Sequence, residues 1–178
     1  MNRLYILLLI FTLITSCKEK VASNNKIEKV KSTTFYLIRH AEKDRSNPAE
    51  KNPNLTEKGV DRARLWARYF DSIPLTYIYT TSYNRTKQTI APVSNAKNII
   101  PKTYSPNEIN IQEFIKSNYG KNVLISGHSN TTPAMVNKLI NEQKFSNMLD
   151  SDNKSLFVVK LIDSNMNVEV RSVYLEKE

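Results

Sequence analysis

Cysteine occurs once, glycine three times, tryptophan once and histidine twice in the 178 residues of this chain. A single cysteine excludes a disulfide-stapled scaffold and any cysteine-based structural zinc site. Three glycines exclude fibrous and glycine-repeat classes. Acidic residues are outnumbered: 17 Asp+Glu against 26 Lys+Arg leave a formal charge of +9. That excess favours anionic partners, and phosphate esters, anionic lipid and nucleic acid all qualify. The chain lacks the aromatic–basic interleaving of a recognised nucleic-acid module, so nucleic acid is not an expected partner. Long apolar runs are missing as well. Ile6–Thr15 spans ten residues, where a bilayer-crossing helix needs about 20. What is present, 40% hydrophobic and 24% charged residues, suits one globular domain rather than a disordered tail or a polytopic membrane protein.

Arg3 ahead of that short run, and the polar residues behind it, fit a secretory signal segment. The run closes in Ile14-Thr15-Ser16-Cys17, which places the only cysteine where processing would occur. The tetrad resembles a bacterial lipobox, whose cysteine is lipidated and becomes the new N-terminus. A plain signal peptide, or an uncleaved N-terminal anchor with an incidental cysteine, is the simpler alternative. The expected organisation is a lipoprotein signal peptide over 1–16, a lipidated Cys17 with a polar tether to residue 32, and one folded domain over 33–178. The domain is then extracytoplasmic, in the periplasm, and membrane-anchored through Cys17.

Within that domain the pattern alternates strand and helix. Thr33–Ile38 is β-branched and aromatic and predicts a buried strand. A polar loop over 43–54 leads to Thr56, an N-cap for a helix over about 57–70. Its apolar stripe reads Val60, Ala63, Ala67 and Phe70 with Trp66 beside it, leaving Arg62, Arg64 and Arg68 on a solvated face. Leu75–Tyr79 predicts a second strand. Ser82 is placed to cap a helix that Pro92 should kink or end. Asn98–Pro101 predicts a third strand, Asn110 caps a short helix, and Asn122–Ser126 predicts a fourth strand. Thr132-Pro133 pairs an N-cap with a first-turn proline. Ser155–Ile162 and Val168–Tyr174 read as a closing hairpin around a turn at 163–167. Strands separated by helices imply an α/β class: a three-layer sandwich with a mostly parallel sheet, helices on both faces and a C-terminal antiparallel hairpin.

In such sheets ligands bind outside the carboxyl ends of the strands. Both histidines sit there, Arg39-His40 after the first strand and Gly127-His128 after the fourth. Arg85 stands in the first turn of the helix that follows the second strand. Two imidazoles and two guanidiniums converging with little carboxylate predict a site for a phosphoryl dianion.

The segments LIRHAEK (37–43), TTSYNRTKQT (80–89) and LISGHSN (124–130) resemble the motifs of the histidine phosphatase superfamily, the phosphoglycerate-mutase-like fold. Three motifs occur in the family's order. The resemblance implies that His40 is the nucleophile, that Arg39 and Arg85 bind the phosphoryl oxygens, and that His128 assists, carrying a proton. Ala41 stands where many members have glycine. The family's general acid is often a carboxylate after the third strand, which nominates Glu108. Lys43 is a candidate additional phosphate contact. No metal or other cofactor is implied, because cationic side chains take the place of a metal ion.

Phosphoglycerate mutases of that superfamily are longer, with insertions that close over the substrate. The short domain here favours hydrolysis of a phosphomonoester or of phosphohistidine, through a phosphohistidine intermediate on His40. The partner expected is a phosphorylated small molecule or a phosphoprotein. A tethered phosphate-ligand binder without turnover is the alternative, and a mutase-type phosphotransferase a more distant one. Substrate identity and oligomeric state are not legible.

Overall fold

The computed structural model describes residues 32–162 and 165–175. The leader, Cys17 and almost all of the tether lie outside the described residues. Ten elements follow one another: β1 (Thr33–Arg39), α1 (Glu57–Tyr69), β2 (Tyr77–Thr80), α2 (Asn84–Lys97), β3 (Lys102–Thr103), α3 (Ile111–Ser117), β4 (Asn122–Gly127), α4 (Thr131–Ile140), β5 (Ser155–Ile162) and β6 (Asn165–Ser172).

The strands form one sheet in the order β3-β2-β4-β1-β5-β6. The first four are parallel to one another, β5 runs antiparallel to β1, and β6 antiparallel to β5. Alternation along each strand sorts its side chains to two faces. Phe35 and Leu37 of β1, Val123 and Ile125 of β4, and Phe157 and Val159 of β5 pack with Phe114 of α3 and Met135, Val136 and Leu139 of α4. Ile38, Leu124, Leu156 and Val158 point the other way, to Trp66 and Phe70 of α1 and Ile90 and Val93 of α2. Both faces are therefore covered, as a central parallel sheet requires. The α/β three-layer class with a terminal hairpin stands as expected.

Local departures have local causes. On α1, Thr56 caps as anticipated, its hydroxyl accepting from the Gly59 N–H at 3.1 Å. Val60 is exposed, however, and Arg62 is buried beside Ala63 and Trp66. A carboxylate from the loop after β1 draws the guanidinium inward. The α2 helix begins after Tyr83, with no side-chain cap, so Ser82 does not serve. It also runs past Pro92 to Lys97. Packing of Ile90 and Val93 on either side of the proline holds the helix against the loss of one backbone bond. Asn98 then leaves the helix with φ of 52°, a left-handed C-cap. The chain needs 98–101 for that exit, so β3 pairs only from Lys102, opposite Tyr79.

At α4 the N-cap is Asn130 and Pro133 lies within the first turn, where its missing N–H is not needed. Thr132 is buried instead, its hydroxyl donating to the Ile38 carbonyl. The second strand of the hairpin starts earlier than expected: β6 begins at Asn165, and β5 and β6 pair from Ile162↔Asn165 to Ser155↔Ser172.

Candidate active site

Parallel pairing of β1 with β4 sets Arg39 level with Gly127. The residues that follow, His40 and His128, therefore leave the sheet at neighbouring points of one edge. The His40 N–H donates to the Gly127 carbonyl at 3.0 Å, which locks the two strand ends together. Gly127 has to be small here, because a Cβ on it would lie 2.7 Å from the Thr132 hydroxyl. The imidazole centroids are 5.5 Å apart, with an angle of 65° between the planes.

His40 is 4% exposed. Its Nδ1 lies 2.8 Å from the Ala41 carbonyl oxygen, an atom that can only accept. Nδ1 therefore carries the proton, and Nε2 keeps its lone pair. Ala41 is itself fixed, its N–H donating to the Thr89 hydroxyl at 2.8 Å. Burial first, and then the charges of Arg39 and Arg85, push the His40 pKa down to about 3. The imidazole is neutral throughout the physiological range.

His128 is oriented by two groups. The Arg85 Nη2 is a donor, so the His128 Nδ1 at 3.4 Å accepts. The Nε2–H then donates to the Thr81 hydroxyl at 3.0 Å, which donates onward to Thr86 at 2.8 Å. Burial, with Arg85, Arg39 and Lys43, lowers the His128 pKa to about 4. In the free pocket, surrounded by cations, the ring is neutral. Tyr83 packs edge-on against His128 at 5.1 Å and lies under the Arg85 guanidinium at 4.2 Å.

Arg39 is 2% exposed. Its Nη1 donates to the carbonyls of Leu149, Asp150 and Asp152, and its Nη2 to an Asp150 carboxylate oxygen at 2.7 Å. Much of its donor capacity thus holds the 149–152 loop against the site. Its Nε, with Nε and Nη1 of Arg85, is buried without a hydrogen-bond partner. Orphaned buried guanidinium nitrogens are costly. They belong to Arg39 and Arg85, which both line one cavity.

Arg39, His40, Lys43, Arg85 and His128 all line a cavity of about 660 Å³. Five of the sequence-nominated residues are thereby brought together. Glu108 is not. It is exposed, in a turn where its N–H donates to the Ser105 carbonyl at 3.2 Å, and the cavity wall is made by Thr103–Asn107 before it. The carboxylate that does reach the cavity is Asp150. Its hydrogen bond from Arg39 lowers its pKa, with help from Arg45, so it stands ionised and poorly suited to donate a proton. Glu42 is occupied elsewhere, gripped by Arg62. Thr81, Tyr83, Tyr104, Asp150 and Asn153 were not nominated by the sequence. Asn153 donates to the His40 carbonyl at 2.8 Å from 113 residues away. Only Thr81 and Tyr83, inside the Arg85 motif, carried a local signal. Among the described residues, no group of three His, Cys, Asp or Glu side chains is arranged to hold a metal ion.

Residues 35–109 match the family model of the histidine phosphatase superfamily, branch 1. Solved structures share the fold at low identity. The SixA protein from Agrobacterium tumefaciens is 19% identical with a TM-score of 0.58, over 79% of this chain and 99% of that one. A protein histidine phosphatase SixA complexed with tungstate is 15% identical with a TM-score of 0.62, over 78% and 96%. YhfR from Bacillus stearothermophilus is 18% identical with a TM-score of 0.61, over 82% and 100%. No curated protein sequence matches the chain.

Proposed function

We propose that this member of the histidine phosphatase superfamily is a metal-independent phosphatase that works through a phosphohistidine on His40. The reading is carried by one observation: the His40 Nδ1–H is committed to the Ala41 carbonyl, leaving Nε2 with its lone pair on a residue that lines one cavity with Arg39 and Arg85. A tetrahedral oxyanion is also what the SixA relative holds in its tungstate complex.

In the first step the His40 Nε2 lone pair attacks phosphorus and the bond to the leaving group breaks. The Arg39 and Arg85 guanidiniums take the equatorial oxygens as their charge develops. The arriving dianion also reverses the electrostatic balance that keeps His128 neutral, so His128 takes up a proton when substrate is present. In the second step water attacks the phosphohistidine, and His40 leaves with its lone pair restored.

The leaving group sets the substrate class. A carboxylic acid able to protonate an alkoxide is not among the residues lining the cavity, since Asp150 is ionised. A phosphoramidate needs no such acid, because imidazole leaves on a readily protonated nitrogen. Phosphohistidine on a protein is therefore favoured over an unactivated alkyl phosphate. The domain acts outside the cytoplasm, tethered through Cys17, a reading that rests on the sequence of the leader.

The test is to trap the intermediate. Brief incubation with a labelled phosphoramidate, followed by alkaline quench, should leave acid-labile, base-stable label on the protein. His40→Ala should carry none and turn nothing over. Unchanged turnover in His40→Ala overturns the assignment.

A further inference from the structure

The two edges of the sheet are built differently. β3 closes one edge with two residues, one of them Lys102, and Pro101 immediately before it has no N–H to offer a further strand. β6 forms the other edge with eight residues, and its strand partner among the described residues is β5 alone. That pairing runs without a break from Ile162↔Asn165 to Ser155↔Ser172, so no bulge turns the edge aside. The sequence of β6 holds neither proline nor lysine. Shortness, proline, lysine and bulges are the means by which proteins keep a second chain off a sheet edge. β3 uses three of them, and β6 uses none.

The charges on β6 are two, of opposite sign. Glu169 and Arg171 lie on the face that carries α1: Arg171 gives Nε and Nη2 to the Glu169 carboxylate at 2.8 Å and Nη1 to the Tyr69 hydroxyl at 3.0 Å. Both side chains stay open to water, at 55% and 40% exposed. Val170 between them points to the other face, with Met166 and Val168, which pack on the core beneath α4. It is 47% exposed. A two-fold axis normal to the sheet has to pass through a residue, because residues paired across antiparallel strands share a face. Through Glu169 or Arg171 it would set like charges against each other, which is destabilising. Through Val168 it would leave both charges facing asparagines. Through Val170 it sets Glu169 opposite the partner's Arg171 and Arg171 opposite the partner's Glu169, with the two valines covering each other.

We propose that β6 is a dimerisation edge: two copies of this chain pair antiparallel about Val170 and join their six-stranded sheets into one. The occupant is a second copy because the edge is complementary to itself, each chain supplying an acid where the other supplies a base. A single strand pair is a small contact, so association is reversible and depends on concentration. Nothing in the pairing depends on the chemistry at His40.

Sedimentation equilibrium of the full chain tests it, in non-ionic detergent so that the apolar run 6–15 does not itself drive association, and with Cys17→Ser to remove the only thiol. Dimer should appear as the protein is concentrated through the micromolar range. Glu169→Arg alone should weaken dimerisation about tenfold or more, and adding Arg171→Glu should restore it, because the swap re-forms both cross-strand pairs. In the same Cys17→Ser background, Val170→Cys should oxidise to a covalent dimer, since the axis brings the two thiols within disulfide reach. Met166→Cys, on the same face but far from the axis, should not. A chain that stays monomeric throughout that range overturns the proposal. So does a dimer indifferent to Glu169→Arg, a double swap no better than the single, or equal cross-linking at 166 and 170.

Discussion

Glu42 and Arg62 form a fork across the base of the site: the guanidinium Nε and Nη2 meet both carboxylate oxygens between 2.8 and 2.9 Å. Glu42 lies two residues after the proposed nucleophile, and Arg62 is 2% exposed on α1. The pair fixes the loop that carries His40 to the helix covering that face of the sheet. The Glu42 carbonyl reinforces it, accepting from the Thr56 N–H at 2.9 Å.

Arg62→Met leaves the Glu42 carboxylate near the interior without its partner. Removing one member of a largely buried pair costs about 3–5 kcal/mol, so the melting temperature should fall by about 10 °C for a domain of this size. Glu42→Gln in the same protein should restore part of that loss, because it removes the stranded charge. Additive losses in the double variant would show that the two side chains act independently.

The two histidines predict how stability depends on acid. Each has a folded pKa below its unfolded value of about 6.5, at about 3 for His40 and about 4 for His128. Above pH 6.5 neither state binds the proton and nothing is lost. As pH falls below 6.5 the unfolded chain takes up protons that the native pocket refuses, so stability declines toward the folded values. Each histidine then costs about 1.4 kcal/mol per pH unit across that window. Melting temperatures should hold between pH 7.5 and about 6.5 and fall from there to pH 4.5, less steeply in His40→Ala. NMR titration of the ring protons should place both midpoints well below 6. A midpoint near 6.5 for either ring would mean that water reaches it freely.

Much of this was legible along the chain. The alternation in Thr33–Ile38 and Asn122–Ser126 and the position of each histidine after its strand placed His40 and His128 at one edge, because a parallel register leaves few other arrangements. The capping roles of Thr56 and Asn110 could be read from local chemistry alone. What escaped was decided by contacts far apart in sequence. Arg62 looks solvated on a helical wheel and is buried because Glu42, 20 residues earlier, meets it. Asp150 and Asn153 belong to a segment without a motif, and reach the site only because Arg39 gathers the carbonyls around them.

Glu108→Gln should leave kcat/KM for an aryl phosphate within twofold, since the side chain is exposed and outside the cavity lining. Steady-state kinetics on a phosphoramidate and on an alkyl phosphate would check it. A loss of tenfold or more, confined to the alkyl phosphate, would restore Glu108 as the general acid and require the 104–110 loop to close during turnover.

Cys17→Ser tests the tether. If the sulfur carries lipid, the substitution should move the protein from the membrane fraction to the soluble extracytoplasmic fraction while leaving the specific activity of the folded domain unchanged. Continued membrane partitioning would assign the attachment to the apolar run 6–15 itself.

Thr81 gives the sharpest test of how the site is held. Its hydroxyl accepts from the His128 Nε2–H at 3.0 Å and passes a bond to Thr86 at 2.8 Å. Thr81→Val keeps the shape of the side chain and strands the imidazole N–H. Leaving one buried polar group unpaired costs about 1–3 kcal/mol, so kcat/KM should fall roughly 10- to 100-fold if that cost falls on the transition state. Thr81→Ser should restore most of it, because the hydroxyl returns. A residue acting only in packing would give the opposite order, since valine fills the space and serine does not. The His128 ring signals discriminate further: in Thr81→Val the ring should lose its fixed tautomer and its midpoint should move, while His40 keeps its own. Equal activity of wild type and Thr81→Val would show that Arg85 and Tyr83 alone orient the second histidine.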